Sequence, residues 1–117
     1  MTTEKYEKIV DGLARKTAND ELEWKETADP NTFQVSFVNY SITIEERYHP
    51  EQNLPDYLVT IRNSEGNAID SFSDTFLDQR SMGYYKVMRD IYQKARRQAL
   101  GVDSALDEIL NELEGNT

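Results

Sequence analysis

Side chains able to do chemistry are sparse in this sequence, and their spacing limits what they can build. His49 is the single histidine, next to Pro50 in a proline-containing run, and the chain has no cysteine. Structural metal sites and catalytic dyads usually draw on more than one His or Cys, so a solvated loop position is expected for His49 over a role as ligand or base. Disulfides, iron–sulfur clusters and thiol catalysis are excluded for this chain. Asp70, Asp74 and Asp78 recur at every fourth position. On one helical turn, Asp74 and Asp78 would share a face and could hold a divalent cation. The spacing lacks the close-set oxygens and glycine of a calcium loop, and the competing reading makes Ser73 or Asp74 a helix N-cap. The expectation is therefore no cofactor and no metal, with Asp70, Asp74 and Asp78 as the candidate ligands should a metal bind.

Glu23-Trp24-Lys25 contains a Glu-x-Lys arrangement that resembles one found in metal-dependent nucleases, and Pro55-Asp56 supplies a Pro-Asp pair. Here the pair follows the Glu-x-Lys element, the reverse of the usual order, and alternation puts Glu23 and Lys25 on the wet side of a strand. There is neither a glycine-rich phosphate loop nor a Gly-x-Ser-x-Gly elbow. No nucleophile, base and oxyanion donor assemble from the sequence, which leans away from an enzyme.

The elements that would have to position these residues are legible from periodicity. Tyr6, Ile9, Val10, Leu13 and Ala14 trace one face of a helix. Residues 21–26 alternate as a short strand. After the Asp29-Pro30-Asn31 turn, Phe33, Val35 and Phe37 alternate with polar residues, and Tyr40, Ile42 and Ile44 do so in the opposite parity, as in a hairpin. His49 to Asp56 reads as an exposed loop. Tyr57, Val59 and Ile61 form one face of a further strand. Asn63-Ser64-Glu65-Gly66 is a turn, and Asn67 to Phe72 returns with a broken alternation that suggests a bulge. Tyr84, Val87, Met88, Ile91, Ala95 and Ala99, with Tyr85 and Tyr92 at the edge, then restore a helical stripe that stops at Leu100-Gly101. Asp103 or Ser104 is expected to cap a last helix, whose Leu106, Ile109, Leu110 and Leu113 again share a face. Strands grouped together with helices at the ends predict an α+β fold: an N-terminal helix, an antiparallel sheet of four to five strands in hairpins, a long helix and a short acidic C-terminal helix. Residues 1–101 are expected to form one domain, with 102–117 an amphipathic helix lying on that domain or on a partner.

Composition bounds the partners. The 117 residues contain 22 acidic and 13 basic side chains, a net charge of −9, whose average field repels phosphate and disfavours nucleic acid and anionic membrane. No apolar run reaches the ~18–20 residues of a membrane helix, and the charged start offers no secretory core. Asn39-Tyr40-Ser41 fits the glycosylation sequon, but the expected location is cytoplasmic. The charge is polarised: Lys86, Arg89, Lys94, Arg96 and Arg97 stand against Asp90 alone, whereas Asp103, Asp107, Glu108, Glu112 and Glu114 follow with no basic residue. Cations near one helix C-terminus and acids at the next N-terminus suit the helix dipoles and attract each other.

The run from Ala95 to Leu106, together with Leu22-Glu23-Trp24 and Asn63-Ser64-Glu65-Gly66, resembles small bacterial proteins of no assigned function. The resemblance implies a bacterial setting and carries no activity with it. The residues themselves lead to a non-enzymatic module that binds another protein or a second copy of itself, using Leu106, Ile109, Leu110 and Leu113 with Lys94, Arg96 and Arg97. The alternatives are a small acidic-site enzyme or metal binder at the three aspartates, or an acidic mimic of nucleic acid that inhibits a partner.

Overall fold

Helix α1 (Thr2–Ala18) opens the fold, followed by strands β1 (Lys25–Glu26), β2 (Thr32–Ser36), β3 (Tyr40–Arg47), β4 (Asp56–Asn63) and β5 (Ala68–Ser73), then helices α2 (Asp74–Asp78), α3 (Tyr84–Leu100) and α4 (Val102–Leu113). The computed structural model describes residues 2–78 and 83–115. The fold is α+β, as the grouping of strands predicts, with all five strands antiparallel and in chain order, β1-β2-β3-β4-β5.

Alternation along each strand makes the sheet two-sided. Phe33, Ile44, Val59 and Phe72 sit opposite one another in register across four strands and are all buried. On the other face Lys25, Gln34, Thr43, Thr60 and Ser71 form a polar row across all five strands. The apolar face is covered by α1 and α3, through Val10 and Leu13 of α1 and Met88, Ile91, Tyr92 and Ala95 of α3. Tyr92 packs against Phe33 and Tyr57 with ring centroids 5.5 Å away in each case, a tilted geometry favoured by aromatic quadrupoles.

The strand expected over residues 21–26 shrinks to Lys25–Glu26, for a physical reason on each side. Helix α1 ends in a paired C-terminal cap: the Glu21 N–H donates to Lys16 O (2.9 Å) and the Asp20 N–H to Thr17 O (3.2 Å), with Asp20 at φ 58°. Aspartate is among the few non-glycine residues that tolerate this left-handed conformation. The next stretch is then held by a side chain instead of a strand. Gln98 of α3 donates from Nε2 to Leu22 O (2.9 Å) and accepts the Trp24 N–H at Oε1 (3.0 Å). Trp24 lies 1% exposed and donates from Nε1 to Thr17 Oγ1 at 3.1 Å, so its one polar atom is satisfied inside the core.

The hairpin turns follow the sequence closely. Gly66 takes φ 86° in the β4–β5 turn, where the Gly66 N–H donates to Asn63 O. The suspected bulge is present: Ile61 pairs with Asp70 and Arg62 with Ala68, leaving Ile69 unpaired. Phe37, read as part of the apolar strand face, lies just past β2 and is 46% exposed, because the β2–β3 turn closes with the Phe37 N–H donating to Tyr40 O at 2.7 Å. Ser73 is the N-cap of α2, accepting the Phe76 N–H at 3.2 Å.

Candidate interaction surface

The basic and acidic helices meet at Gly101, which has φ 65° and ends α3 while starting α4. Its N–H is bonded to Gln98 O (3.2 Å), and its carbonyl accepts the Ala105 N–H (3.1 Å), the first turn of α4. The expected cap at Asp103 or Ser104 is therefore corrected. The helix begins at Val102 with no side-chain cap, because the glycine already turns the chain one step earlier. Asp103 instead lies within the first turn, where its charge suits the dipole, and accepts a bond from Arg97 Nη2 at 2.6 Å. Both side chains are largely exposed (51% and 84%), so this ion pair orients more than it stabilises.

Helix α4 has no buried residue, and its chief neighbour is α3. Leu106, Ile109, Leu110 and Leu113 are 47%, 51%, 52% and 78% exposed. The molecule is correspondingly long, 57 × 36 × 26 Å. A chain this size folded compactly would have a radius of gyration of about 13 Å, against the observed 16.1 Å. Of the basic residues expected to serve a partner, Lys94 donates to Ala18 O at 3.0 Å, placing a cation on the C-terminus of α1, and Arg97 holds Asp103. Arg96 is exposed on the outer side of α3. Positions 116 and 117 of the C-terminal segment lie outside the described residues.

A second apolar feature was not visible in the sequence. Across α1 from α3 runs a groove of about 220 Å³, floored by Ile9, Leu13, Leu22, Phe37 and Ile42 and bordered by Lys8, Gly12 and Lys16. The lysines and the glycine fall at i, i+4 and i+8 along α1, one face of the helix. That spacing was the available signal, but a lysine row reads as ordinary solvated charge until the hairpin tip is known to face it. A Cβ at Gly12 would meet nothing within 4 Å, so glycine leaves the groove open at its middle.

The three aspartates are not gathered into one site. Asp70 is exposed and accepts the Tyr6 hydroxyl at 2.7 Å, tying α1 to β5. Asp74 is buried and accepts the Tyr57 N–H at 2.7 Å. Asp78 accepts the Tyr84 N–H at 2.8 Å and so anchors the start of α3. Each holds a different element, and among the described residues no group of three or more His, Asp or Glu side chains could hold a metal ion. Glu23 and Lys25 pair with each other in solvent at 3.1 Å, three strand positions from Asp56.

His49 lies exposed on the β3–β4 loop, as expected, and from there reaches Asp56. Its Nε2 lies 3.2 Å from Asp56 Oδ1, beside a two-bond clasp in which Arg47 Nε and Nη2 donate to the two Asp56 oxygens at 3.0 and 2.7 Å. Burial would raise the Asp56 carboxyl, but the Arg47 guanidinium, with His49, outweighs it and holds the group below its ordinary range. Asp74 moves the other way, raised by burial against the Tyr57 N–H that favours its charge. Carboxylates displaced in opposite directions are a known acid–base arrangement. Here both oxygens of Asp56 are occupied by Arg47 and Asp74 is 4% exposed, so the pair presents no free oxygen to a substrate. Burial also pushes the Tyr92 phenol up to about 12 and raises that of Tyr57, which donates to Glu46 Oε2 at 2.9 Å.

Comparison of the chain with protein-family models, with curated proteins and with solved structures gives no match. Among the described residues, no helix is long and apolar enough to cross a membrane.

Proposed function

We propose that this protein is a non-enzymatic protein-interaction module whose docking element is α4. One observation carries the reading: four apolar side chains aligned on α4 are each about half exposed or more, while the helix contributes nothing to the core. An amphipathic helix with its apolar stripe in water is the usual form of a helix-in-groove ligand. The carboxylates that could suggest catalysis are occupied in holding α1, β4 and α3 in place, which favours a binding role over a catalytic one.

The test compares the intact chain with an Ile109→Asp/Leu113→Asp variant as bait in extracts of native cells. At dilution both should melt at the same temperature, since neither residue is buried within the single chain, and protein recovered by the intact stripe should be missing from the variant. Equal recovery by both baits refutes α4 as the docking element.

A further inference from the structure

We infer that the occupant of the α1 groove is α4 of a second copy, exchanged reciprocally in a homodimer; this rests on the reading of α4 as the docking element. The two surfaces are complementary in each respect that the structure defines. Helix α4 is apolar on one face and bears only acidic charges, Asp103, Asp107, Glu108 and Glu112. The groove is apolar along its floor and has basic borders, Lys8 and Lys16, whose side chains make no hydrogen bond or ion pair among the described residues. Asp107 of α4 and Glu114, the residue that caps its C-terminus, lie two turns apart along one edge of the stripe, about 10.5 Å at the helical rise. Lys8 and Lys16 are separated by about 12 Å on the same measure. A helix laid in the groove thus sets two carboxylates beside two ammonium groups while its leucines meet Ile9, Leu22 and Phe37.

The outer face of α3, although basic, does not offer the same fit. Its large exposed apolar residue is Leu100, and Lys94 and Arg97 are already engaged. The apolar patch at the groove, by contrast, continues onto the β2–β3 turn, where Phe37 is 46% and Val38 96% exposed. Ligand and receptor on the same chain make the contact self-complementary, so two copies exchanging α4 close on each other and leave no open end to propagate.

Charge exchange tests the inference on the full chain. Sedimentation equilibrium should show a concentration-dependent monomer–dimer equilibrium for the wild type. Lys8→Glu/Lys16→Glu makes the groove acidic against an acidic helix, and Asp107→Lys/Glu114→Lys makes the helix edge basic against a basic groove. Each variant alone should dimerise at least tenfold more weakly. Mixed, each variant's groove meets the other's matching helix, and the dimer should return, an outcome that misfolding of either variant cannot produce. Wild type that stays monomeric at millimolar concentration, variants that dimerise like wild type, or a mixture that stays monomeric would each overturn the inference. Hydrogen exchange of α4 separates the two claims. A monomer with unprotected α4 amides removes the second copy as occupant, whereas a monomer with protected α4 amides means the helix docks in cis and removes the docking reading as well.

Discussion

Leu110→Ala isolates the energy of the exposed stripe. Leu110 is 52% exposed in the single chain, so about half of its side-chain surface is still available for burial. Full burial of a leucine is worth ~1.5–3 kcal/mol, which leaves about 1 kcal/mol to be gained where Leu110 docks. A reciprocal dimer contains the contact twice, so the substitution should weaken dimerisation by about 2 kcal/mol, roughly 25-fold in Kd. Sedimentation equilibrium over a hundredfold concentration range reads this directly. Ile69→Ala is the control, because Ile69 is 56% exposed on β5, belongs to neither α4 nor the lining of the groove, and should leave Kd unchanged. Neither substitution should shift the melting temperature of dilute protein by more than a few degrees, since neither removes a core contact. A Leu110→Ala dimer within threefold of wild type, or an Ile69→Ala dimer weakened as much, would refute the argument.

The remaining predictions concern the fold that carries α4. Asp56→Asn should destabilise at neutral pH, and its deficit should close as pH falls: Asp56 has a folded value below its ordinary 3.8, so its contribution is present above 3.8 and is lost as pH drops through the folded value. Asp74→Asn should do the reverse, gaining on wild type as pH rises from 3.8 through the raised folded value, because Asp74 favours folding most when protonated; denaturant midpoints across pH check both, and parallel trends would refute the assignments. Thr17→Val leaves the buried Trp24 indole N–H without an acceptor and should cost about 1–3 kcal/mol in urea unfolding followed by circular dichroism, whereas Thr17→Ser should retain most of that stability. Gly101→Ala forces a side chain into φ 65° and should cost ~1–2 kcal/mol locally. Since α4 adds nothing to the core, the loss should appear as faster hydrogen exchange around the junction, with the melting temperature little changed.

Much of this architecture was legible because its determinants are local. The α1 and α3 stripes, the parity change around Asn39, and the glycines at 66 and 101 each depend on residues within one or two turns of each other. What escaped depends on distance along the chain. Gln98 fixes Leu22 and Trp24 from more than seventy residues away, and no periodicity reports that a glutamine will satisfy two backbone groups and shorten a strand. The same holds for the groove, which exists only because Phe37 and Ile42 reach Ile9 and Leu13 across the fold. The Arg47–Asp56–His49 cluster escaped for a related reason: the register of β3 on β4 brings Arg47 opposite Asp56, and register is a property of the pair of strands. For the aspartates, even spacing suggested a common ligand; Asp74 and Asp78 do share α2, but with Asp70 on β5 the three carboxylates are each taken up by a different neighbour, Tyr6 of α1, Tyr57 of β4 and Tyr84 of α3.

The order of the strands has a consequence for how the chain is made. Each strand pairs only with its neighbours in sequence, so every hairpin can close as soon as it leaves the ribosome, and the loops to be closed are short. The helix layer is different, because α3 begins only at Tyr84 and supplies Met88, Ile91, Tyr92 and Ala95. At ~5–20 residues per second, the apolar row from Phe33 to Phe72 lacks its α3 cover for about 1–4 seconds after the last strand has been made. The nascent sheet is therefore the aggregation-exposed species of this protein, and slowing translation just before residue 84 should lower the soluble yield without changing the native fold.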